Sequence, residues 1–170
     1  GSVLPGWSEA HQAAWARSLN EALAASSEDL QRAAWNCRSK LRVSDLAEPL
    51  GASALGLSAG AVHRVLGWRA HPEQGLAAWL MLQGHLAEMA TGEGKTLAAG
   101  LAAATAAMAG LSVHVMTAND YLVQRDADLL RPVFELLGLS SAAIVVDTPR
   151  DVRMVAYRQT IVYVTARELV

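Results

Sequence analysis

The stretch Leu86-Ala87-Glu88-Met89-Ala90-Thr91-Gly92-Glu93-Gly94-Lys95-Thr96-Leu97 constrains this chain more than any other. A short apolar run leads into two closely spaced glycines, and a lysine and a threonine then open a long uncharged segment. That order reads as a strand, a tight turn and the first residues of a helix. In such a turn the main-chain N–H groups point inward and the helix N-terminus adds positive partial charge, which together hold phosphate. A lysine at position 95 reaches outer phosphates, and a Thr96 hydroxyl is suited to Mg²⁺.

The expected fold class is therefore α/β: a P-loop NTPase of the RecA/helicase-like kind, with a parallel sheet covered by helices on both faces. The strict motif has a further glycine five positions before Gly94, and here that position is Met89. The strand before the loop and the helix after it supply the context that the motif requires. Thr91, Gly92, Glu93, Gly94, Lys95 and Thr96 form the expected nucleotide-binding loop, with Lys95 and Thr96 as the chemically active pair. ATP or ADP with Mg²⁺ is the expected cofactor, Thr96 touching the metal alongside the nucleotide. Gln74, upstream of the loop, carries an amide that donates and accepts at once, as reading an adenine edge requires. Taken alone it is also an ordinary solvated helix residue, and so is Arg69.

The chain has 170 residues, 52% of them hydrophobic, which excludes a disordered or fibrous chain. Its net charge is −2, with no clustered Lys/Arg stripe, so no nucleic-acid partner is expected. The single Cys37 excludes a disulfide framework. His11, His63, His71, His85 and His114 lack zinc-site spacing. Leu97 to Leu111 carries no charge but is too short and too rich in Ala to span a membrane, so a buried helix is expected. Gly1-Ser2 looks like a cleavage scar, and Val170 comes where a new helix begins, so an incomplete domain is expected.

Residues 1–66 are expected to form an N-terminal helical extension and 67–170 a partial nucleotide-binding domain. Trp15, Leu19 and Leu23 fall four apart behind Ser8, and Leu30, Ala34, Cys37 and Leu41 line one face behind Ser26, which predicts two amphipathic helices. Pro49 to Ser58, rich in Gly, Ala and Ser, reads as a connector, with Ser58 capping a short helix that ends at Gly67. Tryptophans 7, 15, 35, 68 and 79 are expected as anchors in a helical layer. A helix opening at His71-Pro72 ends at Gln83-Gly84. Strands are expected at Ser112–Thr117, Ala142–Val146 and Thr160–Thr165, with helices at Asn119–Leu137 and Asp151–Arg158 between them. Asn119 reads as a helix N-cap, and Gln124, Arg125 and Asp126 as a solvated face.

Met89-Ala-Thr-Gly-Glu-Gly-Lys-Thr96, followed by Val113-His-Val-Met-Thr-Ala-Asn-Asp-Tyr-Leu-Val-Gln-Arg-Asp-Ala127, resembles the first nucleotide-binding domain of SecA, the preprotein-translocase ATPase family. Arg69 and Gln74 match that family's adenine-side element. Arg131-Pro132 with Leu136-Leu137-Gly138-Leu139 matches the end of the following helix, and Ile161-Val162-Tyr163 a later strand. The resemblance implies an ATP-driven motor of protein export in the bacterial cytoplasm, peripheral at the inner membrane. Its partners would be a SecYEG-type channel and preprotein substrates. It also implies that Gln74 reads adenine, that residues 92 to 96 hold phosphate and Mg²⁺, and that Arg125 approaches the phosphate side.

The chain departs from the family pattern at His71-Pro72-Glu73, Ala77-Ala78, Ala90 and Val164-Thr165-Ala166-Arg167, which implies a divergent member. No Asp-Glu pair ends a later apolar strand, so hydrolysis by this chain alone is not expected. In the related fold the strand before the loop pairs with strands beyond residue 170, so self-association or a rearranged sheet is expected to cover it. Two alternatives stand beside the motor reading: a non-catalytic adaptor that keeps the P-loop fold, and another P-loop ATPase or helicase.

Overall fold

The computed structural model describes residues 7–169, so Gly1-Ser2 and Val170 lie outside the described residues. Four helices come first: α1 (Glu9–Ala24), α2 (Ser27–Leu41), α3 (Pro49–Leu66) and α4 (Pro72–Leu82). After the glycine loop come α5 (Lys95–Met108), β1 (Val113–Thr117), α6 (Asp120–Leu136), β2 (Ser141–Ala143), α7 (Arg150–Ala156) and β3 (Ile161–Thr165). A 3₁₀ turn at Ala166–Leu169 closes the described chain. Ser26 caps α2 by accepting from the Asp29 N–H at 3.1 Å, and Asn119 caps α6 by accepting from the Leu122 N–H at 2.9 Å.

The three strands are parallel in the order β1-β3-β2, with Val113 opposite Ile161 and Ser141 opposite the same residue from the other side. The chain steps from β1 past the β3 position to β2 through α6, then back to β3 through α7. Right-handed crossovers in opposite directions place those helices on opposite faces of the sheet. β3 accordingly has no exposed face: Ile161 and Tyr163 join the main core with α5 and α6, while Val162 and Val164 pack with Ala156 of α7. The α/β fold expected from the sequence is the one observed.

Four expectations change. Pro49 to Ser58 is the first half of α3, not a connector. Its small residues serve close packing: a Cβ on Gly56 would lie 2.6 Å from the Trp15 carbonyl oxygen, and one on Gly60 2.2 Å from the Ala22 Cβ, both on α1. Ser58 is therefore not a cap; it is buried in mid-helix, its hydroxyl donating to the Ala54 carbonyl at 2.9 Å. The strand predicted at Leu86–Met89 is irregular backbone, with Leu86 97% exposed, because no strand lies beside it among the described residues to take its N–H and C=O groups. Trp15 and Trp79 are buried anchors, but Trp35 and Trp68 are 69% and 48% exposed. β2 stops at Ala143, where its register with β3 ends at Tyr163, and leaves Val146 exposed.

α5 is the buried helix expected, with Leu97, Leu101 and Met108 in the core and Gly100 against the Leu130 side chain of α6. Among the described residues no helix is long and apolar enough to cross a membrane.

Candidate functional site

The loop Thr91-Gly92-Glu93-Gly94 turns the chain from the exposed segment after α4 into the N-terminus of α5. Gly94 has φ +81°, a left-handed conformation that disfavours a side chain. The first main-chain bond of α5 runs from the Ala98 N–H to the Gly94 carbonyl, so the N–H groups of Lys95, Thr96 and Leu97 precede the helical ladder. Nothing stands within 4 Å of where a Gly92 Cβ would be. Free donors, a helix N-terminus and open space are what a phosphate requires, so the residues present fit one. Lys95 is exposed and makes no ion pair among the described residues.

Gln74 is 9% exposed and lies against the loop. Its Oε1 accepts from the His71 N–H at 3.0 Å, and its Nε2 donates to the Glu93 carbonyl at 3.0 Å. The first bond belongs to a reciprocal cap at the start of α4, where Pro72 occupies the first turn. One amide thus ties α4 to the loop across 19 positions of sequence. The Glu93 side chain folds back so that its Oε2 accepts from the Ala90 N–H at 2.6 Å, which gives this exposed residue a place in the turn. Arg69, between α3 and α4, is exposed and has no polar partner among the described residues.

On the other side of α5 the structure corrects the reading of Arg125 and Asp126 as a solvated face. Asp126 is 6% exposed, in phase with Val123, Ala127, Leu130 and Phe134 on the buried stripe of α6. The Thr96 hydroxyl donates to its Oδ2 at 3.4 Å, while Nε and a terminal nitrogen of Arg125 donate to Oδ1 at 2.8 and 2.7 Å. A buried carboxylate needs such partners to offset its lost hydration. The three- and four-residue spacing of that stripe was the signal in the sequence that could have found Asp126. The Tyr163 hydroxyl is buried without a hydrogen-bond partner, and its burial and then the charge of Asp126 push its pKa well above the ordinary phenol value.

The loop, Gln74, Thr96 and Arg125 thus come together through these bonds, whereas among the described residues no bond ties Arg69 to them. A cavity of about 830 Å³ lies elsewhere, at the C-terminal ends of the strands between Thr117, Val146, Arg153 and Thr165. No loop residue lines it. Among the described residues no three or more His, Cys, Asp or Glu side chains stand together as a metal cluster.

The family model of the SecA DEAD-like domain matches residues 8–170. This chain belongs to that family. It is 47% identical over 131 residues to protein translocase subunit SecA 2 of Bordetella avium, an overlap covering 77% of this chain and 20% of that protein. To protein translocase subunit SecA 3 of Magnetococcus marinus it is 43% identical over 143 residues, or 84% and 21% of the two chains. To SecA 2 of Mycobacterium tuberculosis H37Ra it is 41% identical over 150 residues, or 88% and 18%. The chain spans about a fifth of the length of these curated relatives.

Proposed function

We propose that this chain is the nucleotide-binding part of a SecA-type motor that couples ATP to protein translocation. The observation that carries the proposal is the Gln74 bond to the Glu93 carbonyl, which joins the adenine-side amide to the phosphate loop. In this reading Gln74 reads adenine with Arg69 beside it, and Thr91 to Thr96 enclose the phosphates. Lys95 meets the outer oxygens and Arg125 approaches them from α6. Thr96, through Oγ1, is the residue of this chain that would hold Mg²⁺ alongside the nucleotide. The metal's contribution is to neutralise charge building on the phosphates. The chain alone binds nucleotide without turning it over, since no strand here ends in an Asp-Glu pair.

A SecYEG-type channel and preproteins are the proposed partners of the whole motor, and the bacterial cytoplasm and inner membrane surface its proposed location. These follow from the relatives, each named a protein translocase subunit. Residues 1–66 are proposed as a helical extension and 67–170 as the nucleotide-binding part, a division of role within one continuous core.

Thermal melting tests the nucleotide claim. Mg-ADP at 100 times its Kd stabilises by about 2.7 kcal/mol, a rise of roughly 5–11 °C for a chain of this size. Lys95→Ala is expected to lose that rise. No shift with millimolar Mg-ATP or Mg-ADP would overturn nucleotide binding, and an undiminished shift in Lys95→Ala would place it elsewhere.

A further inference from the structure

Asp126 lies outside the phosphate loop, yet it is the one buried carboxylate among the described residues and it is shared between two groups of the proposed site. Its Oδ2 faces the Thr96 hydroxyl, and its Oδ1 holds the Arg125 guanidinium, whose side chain is still half exposed. A hydroxyl has one proton and two lone pairs. If the proton of Thr96 is directed at Asp126, the lone pairs of Oγ1 are left for a cation on the far side. A cation bound there would in turn polarise the O–H and strengthen its bond to the carboxylate, as partners behind a metal ligand commonly do.

We propose that Asp126 is a positioning residue for the cation at the loop. It accepts the hydrogen bond of the Thr96 hydroxyl, so that the Oγ1 lone pairs would be presented to Mg²⁺ in a fixed orientation, and with its other oxygen it keeps Arg125 beside the same site. The proposal rests on the nucleotide-binding reading above and adds a residue to it. Burial is part of the device: a carboxylate in water would be free to rotate away or to take the metal itself, whereas this one is held within the apolar stripe of α6.

The test is the affinity of the full chain for ADP, measured by calorimetry in EDTA and again in millimolar Mg²⁺, the ratio being the metal enhancement. In Asp126→Asn the enhancement is expected to fall about 10- to 100-fold, over and above the loss of metal-free affinity that follows from freeing Arg125. Asp126→Glu, which restores the charge, is expected to recover part of it. In Thr96→Ala the enhancement is already lost, and adding Asp126→Asn is expected to lower it no further. Should Asp126→Asn not fold, Asp126→Ser, smaller and neutral, gives the same readout. An unchanged enhancement in these neutral variants overturns the proposal alone, and so does an equal loss of affinity with and without metal. Failure of the unaltered chain to bind ADP at all overturns it together with the nucleotide-binding reading.

Discussion

A Cβ placed on Gly94 would stand 2.3 Å from Nε2 of Gln74, so a side chain at position 94 requires the Gln74 amide to move. Gly94→Ala is expected to displace Gln74 from the Glu93 carbonyl and to abolish the melting shift with Mg-ADP. The strained φ adds a stability loss of about 1–3 kcal/mol. Gly92→Ala is the control, because Gly92 also has a positive φ but open space around it. If both variants lose nucleotide equally, backbone strain alone accounts for the effect and the contact with Gln74 does not.

The α1–α3 interface makes a prediction whose sign is informative. On helix propensity alone, replacing a mid-helix glycine by alanine stabilises by roughly 0.5–1 kcal/mol. At Gly56 and Gly60 the added methyl meets Trp15 and Ala22 of α1. Overpacking of this kind costs about 1–3 kcal/mol and outweighs the propensity gain, so Gly56→Ala and Gly60→Ala are expected to lower Tm, by up to roughly 10 °C. A rise in Tm by calorimetry would contradict the close approach of the helices.

Arg153 anchors the end of β3 to α7: its terminal nitrogen lies 2.8 Å from both carboxylate oxygens of Glu168, and the Tyr157 hydroxyl adds a third bond at 3.1 Å. The Glu168 side chain is mostly buried. Arg153→Ala is expected to cost about 1–3 kcal/mol by leaving that carboxylate unpaired. Arg153→Ala with Glu168→Ala is expected to cost less than the two single changes added together. Urea denaturation of the cycle measures the coupling.

Alkaline pH is expected to weaken the fold through Cys37. Burial pushes its thiol up to about 11, with Lys40 opposing. The unfolded thiol titrates near 8.5. Because the folded value is raised, the contribution is complete below about pH 8.5 and is lost as pH climbs through 11, at up to about 1.4 kcal/mol per pH unit. Cys37→Ala is expected to flatten that stretch of the stability curve. The same burial predicts slow alkylation of Cys37 at pH 8 until the chain is unfolded.

Much of this was legible before the structure. The loop from Thr91 to Thr96, the amphipathic stripes of α1 and α2, the capped start of α6 at Asn119 and the β-branched run of β3 report their local states directly, because each is set by near neighbours in sequence. Gln74 was legible as a candidate, but its bond to Glu93 was not. Asp126 was misread: a charged residue beside Arg125 looks solvated unless its phase in the helix is weighed against the apolar residues around it. The Gly/Ala/Ser run at residues 49–58 was misread for a related reason, since small residues suit both a loop and a helix that must lie close to another.

By itself the sequence determined that a glycine loop opens a buried helix, that parallel strands alternate with helices after it, and which family the motifs resemble. Those properties depend on residue type and short spacing. Only the tertiary structure decided that Gln74 closes on Glu93, that Asp126 links Thr96 to Arg125, that α3 is one helix packed on α1, and that residues 86–89 form no strand. Each of these depends on what stands opposite in space: a Cβ with no room, a carboxylate whose lost hydration two partners replace, a strand with no neighbour to take its hydrogen bonds.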